Sequence, residues 1–159
     1  IAVELEGEVR YGIIYDPLRK ELFTAEKGKG ACLNGNPLRV SSTSALNNSL
    51  LCTGFPYDIR QDPEGDLRHF RRFMMKAQAI RRDGTAALDL CYTAAGRFDG
   101  FWEQKLRPWD VAAGSLLVAE AGGTVSTYQG KPFSIHAPEI VASNGIIHEQ
   151  MLEVLREQP

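Results

Sequence analysis

Hydrophobic and polar positions alternate along the first fifteen residues and then change period. Ala2, Val3 and Leu5 precede a turn at Glu6-Gly7-Glu8, and Val9 to Tyr15 resumes the alternation. This predicts a β-hairpin built around Gly7, with Asp16-Pro17 closing its second strand. Short apolar runs at Leu22–Ala25 and Ala31–Leu33 predict two further strands, and Asn34-Gly35 is a hairpin turn signal. Pro37 to Val40 is then expected to leave the sheet. Ser41 to Ser49 is polar and reads as a connector, Leu50 to Phe55 as a buried strand, and Tyr57 to Gly65 as a polar loop.

From there the period is helical. Leu67, Phe70, Phe73, Met74 and Ala77 recur at three- and four-residue spacing, which predicts an amphipathic helix from Leu67 to Ala79 capped by Asp66. Ile80 to Arg82 reads as a short strand or turn. A second helix is predicted from Thr85 to Ala95, ended by Gly96. Phe98 to Glu103 is strand-like. The helix after Pro108 is apolar nearly all round and therefore buried. Thr124–Ser126 and Ile140–Ser143 read as strands, and a last helix runs from Ile146 to Arg156 with Ile147, Met151, Leu152 and Leu155 on its apolar face. β-rich first and alternating α/β afterwards, the order predicts an α/β protein with sheet and helix layers stacked together.

Composition narrows the function classes. The chain has 159 residues, 43% of them hydrophobic and 24% charged, with a net charge of −2. That balance argues against a nucleic-acid surface as the main role, and no apolar run approaches the ~20 residues of a membrane span. Cys32, Cys52 and Cys91 show no metal-ligand spacing and read as reduced thiols of a cytoplasmic protein. The chain begins at Ile1, inside a strand pattern, which predicts a piece of a longer chain.

Three places could carry chemistry. Asp110 falls at the N-cap or first turn of the apolar helix, where free N–H groups and the helix dipole favour a carboxylate. It is either a cap or a ligand, and Ala112, Ala113 and Gly114 leave room for another backbone or a ligand nearby. Asp83-Gly84-Thr85-Ala86 opens the second helix, and its N–H groups suit a phosphate or hydroxyl oxygen. Arg81 and Arg82 precede it and point to opposite faces if they lie in a strand. Glu103 ends an aromatic strand and is either a surface residue or an acceptor for a polyol, with Lys105 and Arg107 beside it to meet an anion. The Gly28-Lys29-Gly30 loop lacks the spacing of a phosphate-binding P-loop and no helix follows it. His69, His136 and His148 show no zinc spacing. The Arg68, Arg71, Arg72 and Lys76 face is either solvated or a surface for an acidic partner.

Trp109-Asp110-Val111-Ala112-Ala113-Gly114-Ser115-Leu116-Leu117-Val118, running on to Gly122-Gly123, resembles the C-terminal signature of the inositol monophosphatase family. Gly84-Thr85-Ala86-Ala87-Leu88, Gly12 to Pro17 and Gly28 to Ala31 fit as well, so the likeness covers essentially the whole chain. Arg81-Arg82 and Leu106 to Asp110 are closest to bacterial members.

The resemblance implies the C-terminal part of the αβαβα sandwich shared by inositol monophosphatases and fructose-1,6-bisphosphatase-like enzymes. Residues 1–45 would belong to an antiparallel-sheet domain and residues 46–159 to an α/β domain. It implies a Mg²⁺-dependent phosphate monoester hydrolase acting on an inositol or sugar phosphate, cytoplasmic and homodimeric. Asp110 is implied to be a metal ligand and catalytic, close to the substrate. The backbone of Gly84, Thr85 and Ala86 is implied to meet substrate hydroxyls, Glu103 the inositol ring, and Arg81 the substrate. The family's other metal ligands lie in a Glu-Glu pair and an Asp-Pro-x-Asp-Gly-Thr segment, neither of which occurs here; Asp16-Pro17-Leu18-Arg19 is not that motif. By itself the chain is therefore expected to be inactive. The alternatives are a same-fold phosphatase for fructose 1,6-bisphosphate, histidinol phosphate or a nucleotide 3′-phosphate, or a non-catalytic role through the basic face of residues 67–79.

Overall fold

A computed structural model describes residues 1–61 and 63–157, the side chains of residues 63–66 excepted. In chain order the described residues form β1 (Ala2–Leu5), β2 (Glu8–Asp16), β3 (Glu21–Glu26), β4 (Gly30–Leu33), β5 (Asn36–Pro37), β6 (Leu50–Thr53), α1 (Pro63–Lys76), β7 (Ala79–Arg81), α2 (Ala86–Ala94), β8 (Gly100–Gln104), α3 (Pro108–Glu120), β9 (Thr124–Ser126), β10 (Glu139–Ser143) and α4 (His148–Arg156).

The boundaries differ from the sequence pattern in ways that have local causes. Pro37 does not leave the sheet, because Asn36–Pro37 pair with Cys32 and Leu33. Helix α1 begins at Pro63 rather than Leu67, with proline in the first helical position it suits. Asp66 thus falls inside the helix instead of before it, and its side chain lies outside the described residues. The helix stops at Lys76 because the N–H groups of Gln78 and Ala79 both donate to the Ser49 carbonyl, drawing the chain into the strand β7. Thr85 and Ala95 flank α2 as its caps.

Strands β1 to β5 form an antiparallel sheet in sequence order, and the second sheet has the order β7-β6-β8-β10-β9. Side-chain alternation in the second sheet divides the core. Cys52, Phe101, Ile140 and Ala142 face a cluster with Leu90, Val111, Leu117 and the first-sheet residues Phe23, Ala25 and Ala31. Leu51, Trp102 and Val141 face Phe73, Ile147, Met151 and Leu155. The layers are therefore sheet, α2 with α3, sheet, α1 with α4. The outer face of the first sheet carries Val3, Tyr11, Ile13, Tyr15 and Leu22, all exposed.

The small residues of α3 serve this packing. A Cβ on Gly12 would lie 3.0 Å from the Ala113 carbonyl, and one on Gly114 would lie 2.5 Å from Leu90 Cβ. The room left at Ala113 and Gly114 is filled by β2 and α2, and not by a ligand. The Gly28-Lys29-Gly30 loop is occupied too. The N–H groups of Gly28 and Gly30 each donate to a different oxygen of Glu120, both at 2.8 Å, pinning the end of α3 to the first sheet. Asp16 likewise acts within its own turn, accepting from the Leu18 and Arg19 N–H groups and from the Arg19 guanidinium.

Candidate active site

Strands β7, β6 and β8 run parallel, with Cys52 paired to Arg81 on one side and to Phe101 on the other. Their C-terminal ends therefore share one edge of the sheet. The turn into α2 leaves from β7 and the turn into α3 leaves from β8, so both helix N-termini open on that edge, where open α/β sheets bind ligands. A cleft of about 710 Å³ lies there, a volume suited to a small molecule. Its walls are Phe55 to Asp58 after β6, Glu103 to Arg107 with Trp109 and Asp110, and His136 to Pro138.

Asp110 is half-buried in the first turn of α3. Its Oδ2 accepts the Arg107 backbone N–H at 2.9 Å, and its own N–H donates to the Arg107 carbonyl at the same distance. Asp110 is thus a helix cap. One oxygen satisfies that role, and the residue still lines the cleft. The residues after it, Val111 to Val118, are buried without a break, as the apolar pattern requires.

Glu103 is 8% exposed, so it is not a surface residue. A Cβ on Gly54 would fall inside its carboxylate. The residue after β6 therefore has to be glycine for the Glu103 carboxylate to lie where it does. Nothing in the local sequence marks Gly54 for this, because its neighbour is forty-nine residues away. Gly54→Ala is expected to destabilise the fold by about 1–3 kcal/mol through overpacking. Chemical unfolding should show that loss shrinking when Glu103→Ala is added. A single variant as stable as the parent would mean that Glu103 relocates at no cost.

Arg81, Gly84, Thr85 and Ala86 share the sheet edge but are not among the residues lining the cleft. Arg81 is exposed on the edge strand β7, and Gly84 and Thr85 are exposed in the turn that follows. Thr85, the N-cap of α2, makes no side-chain capping bond, so the first N–H groups of α2 keep the capacity for an oxygen ligand that its sequence suggested. The structure thus brings Asp110 and Glu103 into one cleft and leaves the other four beside it.

Four features of this edge have no local sequence signal. Trp109 is 79% exposed on the cleft wall, although a tryptophan next to an apolar helix reads as core. Lys105 reaches across to Asp58, with Nζ 3.0 Å from Oδ2. Gly54 backs Glu103. One turn into α2, Asp89 is fully buried and neither of its carboxylate oxygens has a hydrogen-bond partner among the described residues. Burial pushes its pKa up to about 7, the nearby Asp83 adds to the rise, and Arg82 opposes it.

Two other polar clusters are structural. His148 bridges Ser126 and Ser143 through its two ring nitrogens, both at 2.9 Å, and burial lowers its pKa, so it is a neutral tie between β9, β10 and α4. Cys52 and Cys91 are buried free thiols held protonated by that burial.

No group of three or more His, Cys, Asp or Glu side chains among the described residues is arranged to hold a metal. Mg²⁺ prefers six oxygen ligands in near-octahedral geometry. Asp110, with one oxygen already capping its helix, does not make such a site from the described residues of this chain.

The chain matches the model of the inositol monophosphatase family over residues 1–159. It is 43% identical to an inositol-1-monophosphatase of Synechocystis, covering 93% of this chain and 52% of that protein. It is 45% identical to the Nus factor SuhB of Escherichia coli, covering 99% and 59%. The solved inositol monophosphatase of Anabaena (Nostoc) superposes with a TM-score of 0.96 at 44% identity, covering 99% of this chain and 63% of that one. The chain thus spans a little over half the length of the curated relatives it matches.

Proposed function

The chain belongs to the inositol monophosphatase family, and from that premise we propose that it forms the substrate side of a phosphate monoester hydrolase of the inositol-1-phosphate type. The observation that carries the reading is the pairing of Asp110 and Glu103 in one cleft at the C-terminal ends of parallel strands. In this proposal Glu103 accepts hydrogen bonds from ring hydroxyls, and the N–H groups of Gly84, Thr85 and Ala86 meet substrate oxygens from the adjoining turn. Arg81 approaches the substrate from the strand edge. Asp110 supplies one carboxylate to a Mg²⁺ site whose remaining ligands are not found among the described residues. A homodimer in the cytoplasm is the working form this reading takes; among the described residues no helix is long and apolar enough to cross a membrane.

Support comes from the whole-chain family match and from relatives named as inositol monophosphatases. Fructose 1,6-bisphosphate, histidinol phosphate and nucleotide 3′-phosphates are the competing substrates. The test is Mg²⁺-dependent phosphate release from inositol 1-phosphate beside those three, with the gene product that contains this chain. No release from any of them would reject the reading.

A second reading is binding of an acidic partner by the basic face of α1, where Arg68, Arg71, Arg72 and Lys76 cluster. Its footing is narrower. Arg72 and Lys76 are already paired with Glu157 at the C-terminal end of α4, which leaves Arg68 and Arg71 as the exposed cations of this face without an ion pair among the described residues. A pull-down that is lost with Arg68→Glu and Arg71→Glu, and kept in Asp110→Asn, would favour it.

A further inference from the structure

A second cavity, of about 480 Å³, opens at the other end of α3 from the active-site cleft. A helix rises about 1.5 Å per residue, so the Glu120 end of α3 lies roughly 15 Å from Asp110. The walls come from the start of the first sheet, the last turns of α3, and the loop between β9 and β10. The floor is apolar. Leu116 is buried, and Val9, Val125, Phe133 and Ile135 are half-buried against the core. Such a volume and lining suit a small molecule with an apolar body.

The rim is charged, and one charge there is unmatched. Val3 pairs with Tyr11 and the next residue, Glu4, pairs with Val9, so Arg10 is passed over as a bulge in β2. Bulges re-aim side chains. Val3 and Tyr11 stand on the exposed outer face of the sheet, whereas Glu4 shares the inner face with Val9, and both line the cavity. A carboxylate at an inward position of a strand breaks the apolar pattern and calls for a partner or a function. The nearby cations are engaged elsewhere, because Arg10 and Lys27 both pair with Glu8, at 3.0 and 2.5 Å. Glu120 is held by the Gly28 and Gly30 N–H groups. The side chain of Glu4 has no hydrogen bond or ion pair among the described residues. The C-terminal end of α3 adds partial negative charge, and the last turn of that helix carries no basic residue. The cavity therefore joins an apolar floor to an electronegative rim.

We propose that this cavity is a binding site for a small organic cation with an apolar body, an aliphatic ammonium being the simplest case. The chain of the ligand lies on Leu116, Val125 and Ile135, and its head meets Glu4. The site is separate from the active-site cleft, and the proposal does not depend on the phosphatase reading.

The test titrates the gene product that contains this chain with hexylammonium, hexanol and hexanoate at neutral pH. Binding is followed by the methyl resonances of Leu116, Val125 and Ile135. Hexylammonium should bind at millimolar concentration, hexanol more weakly, and hexanoate least. Glu4→Gln should weaken hexylammonium about fivefold, the scale of one partly exposed ion pair, and leave hexanol unchanged. Glu4 is exposed, so this variant is expected to fold. Ala119→Phe, at an exposed position of α3 on the cavity wall, should fill the space and abolish binding of both. No shift of those methyl groups at millimolar hexylammonium would overturn the site. So would equal hexylammonium affinity in the parent and in Glu4→Gln, which would leave Glu4 as a charge that guards the edge strand β1 against pairing. Failure of the phosphatase reading has a different signature, the absence of phosphate release, which this titration does not measure.

Discussion

On the proposed phosphatase reading, Asp110→Asn in the gene product that contains this chain is expected to lower phosphate release from inositol 1-phosphate by roughly a thousandfold, or about 4 kcal/mol of barrier, while the melting temperature barely moves. The two halves of this result separate the roles of one side chain. As a cap, Asp110 accepts the Arg107 N–H with Oδ2, and the asparagine carbonyl can accept the same bond. Only the charge near the helix N-terminus is lost, about 0.3–1 kcal/mol. As a ligand, the carboxylate contributes a charge that a neutral amide cannot replace. Activity lost with stability kept identifies the ligand. Activity kept would return Asp110 to capping alone. Asp110→Ala completes the comparison, since it removes the cap as well and should cost about 1 kcal/mol of stability.

Asp89→Asn should stabilise the protein, and by an amount that depends on pH. The folded-state pKa of Asp89 is about 7 against an ordinary 3.8, raised first by burial and then by Asp83. Between those values the folded protein holds a proton that the unfolded chain releases, so the contribution of Asp89 to stability is most favourable below about pH 4 and falls as pH rises to about 7. The full shift corresponds to about 4 kcal/mol at the conversion of 1.36 kcal/mol per pKa unit. Asparagine resembles the protonated acid and has no such loss. Its advantage should be close to nil at pH 4 and grow toward that bound above pH 7. His148 acts in the opposite sense, because its lowered pKa makes stability fall as pH drops. That contribution is common to both proteins and cancels in the difference between their unfolding curves. Parallel pH profiles for the parent and Asp89→Asn would show that the carboxylate finds a partner in solution.

Much of the fold is legible in the order of residues. The alternation from Val9 to Tyr15 sets β2, Asn34-Gly35 turns the chain between β4 and β5, and the unbroken apolar run after Asp110 makes α3 a buried helix. These are properties of short windows, in which period and turn chemistry act between neighbours. The capping position of Asp110 is legible for the same reason, because a cap lies within one helical turn of the N–H it accepts.

Where local preference competed with long-range pairing, the pairing won. Lys76 ends α1 because Ser49 offers its carbonyl to the next segment, and Asn36–Pro37 stay in the first sheet because β4 pairs with them. The burial of Glu103 against Gly54, the reach of Lys105 to Asp58 and the unpartnered carboxylate of Asp89 are all meetings of residues distant in the chain or consequences of what surrounds them. The sequence alone determined which segments are strands and helices, which faces are apolar, and which carboxylates stand at helix or strand ends. Only the tertiary structure decided that Glu103 is buried, that Trp109 is exposed, and that Lys105 pairs with Asp58 on the wall of the cleft that Asp110 lines. The reason is that burial and electrostatic environment depend on what packs around a group, and hydrophobic collapse brings those neighbours from elsewhere in the chain.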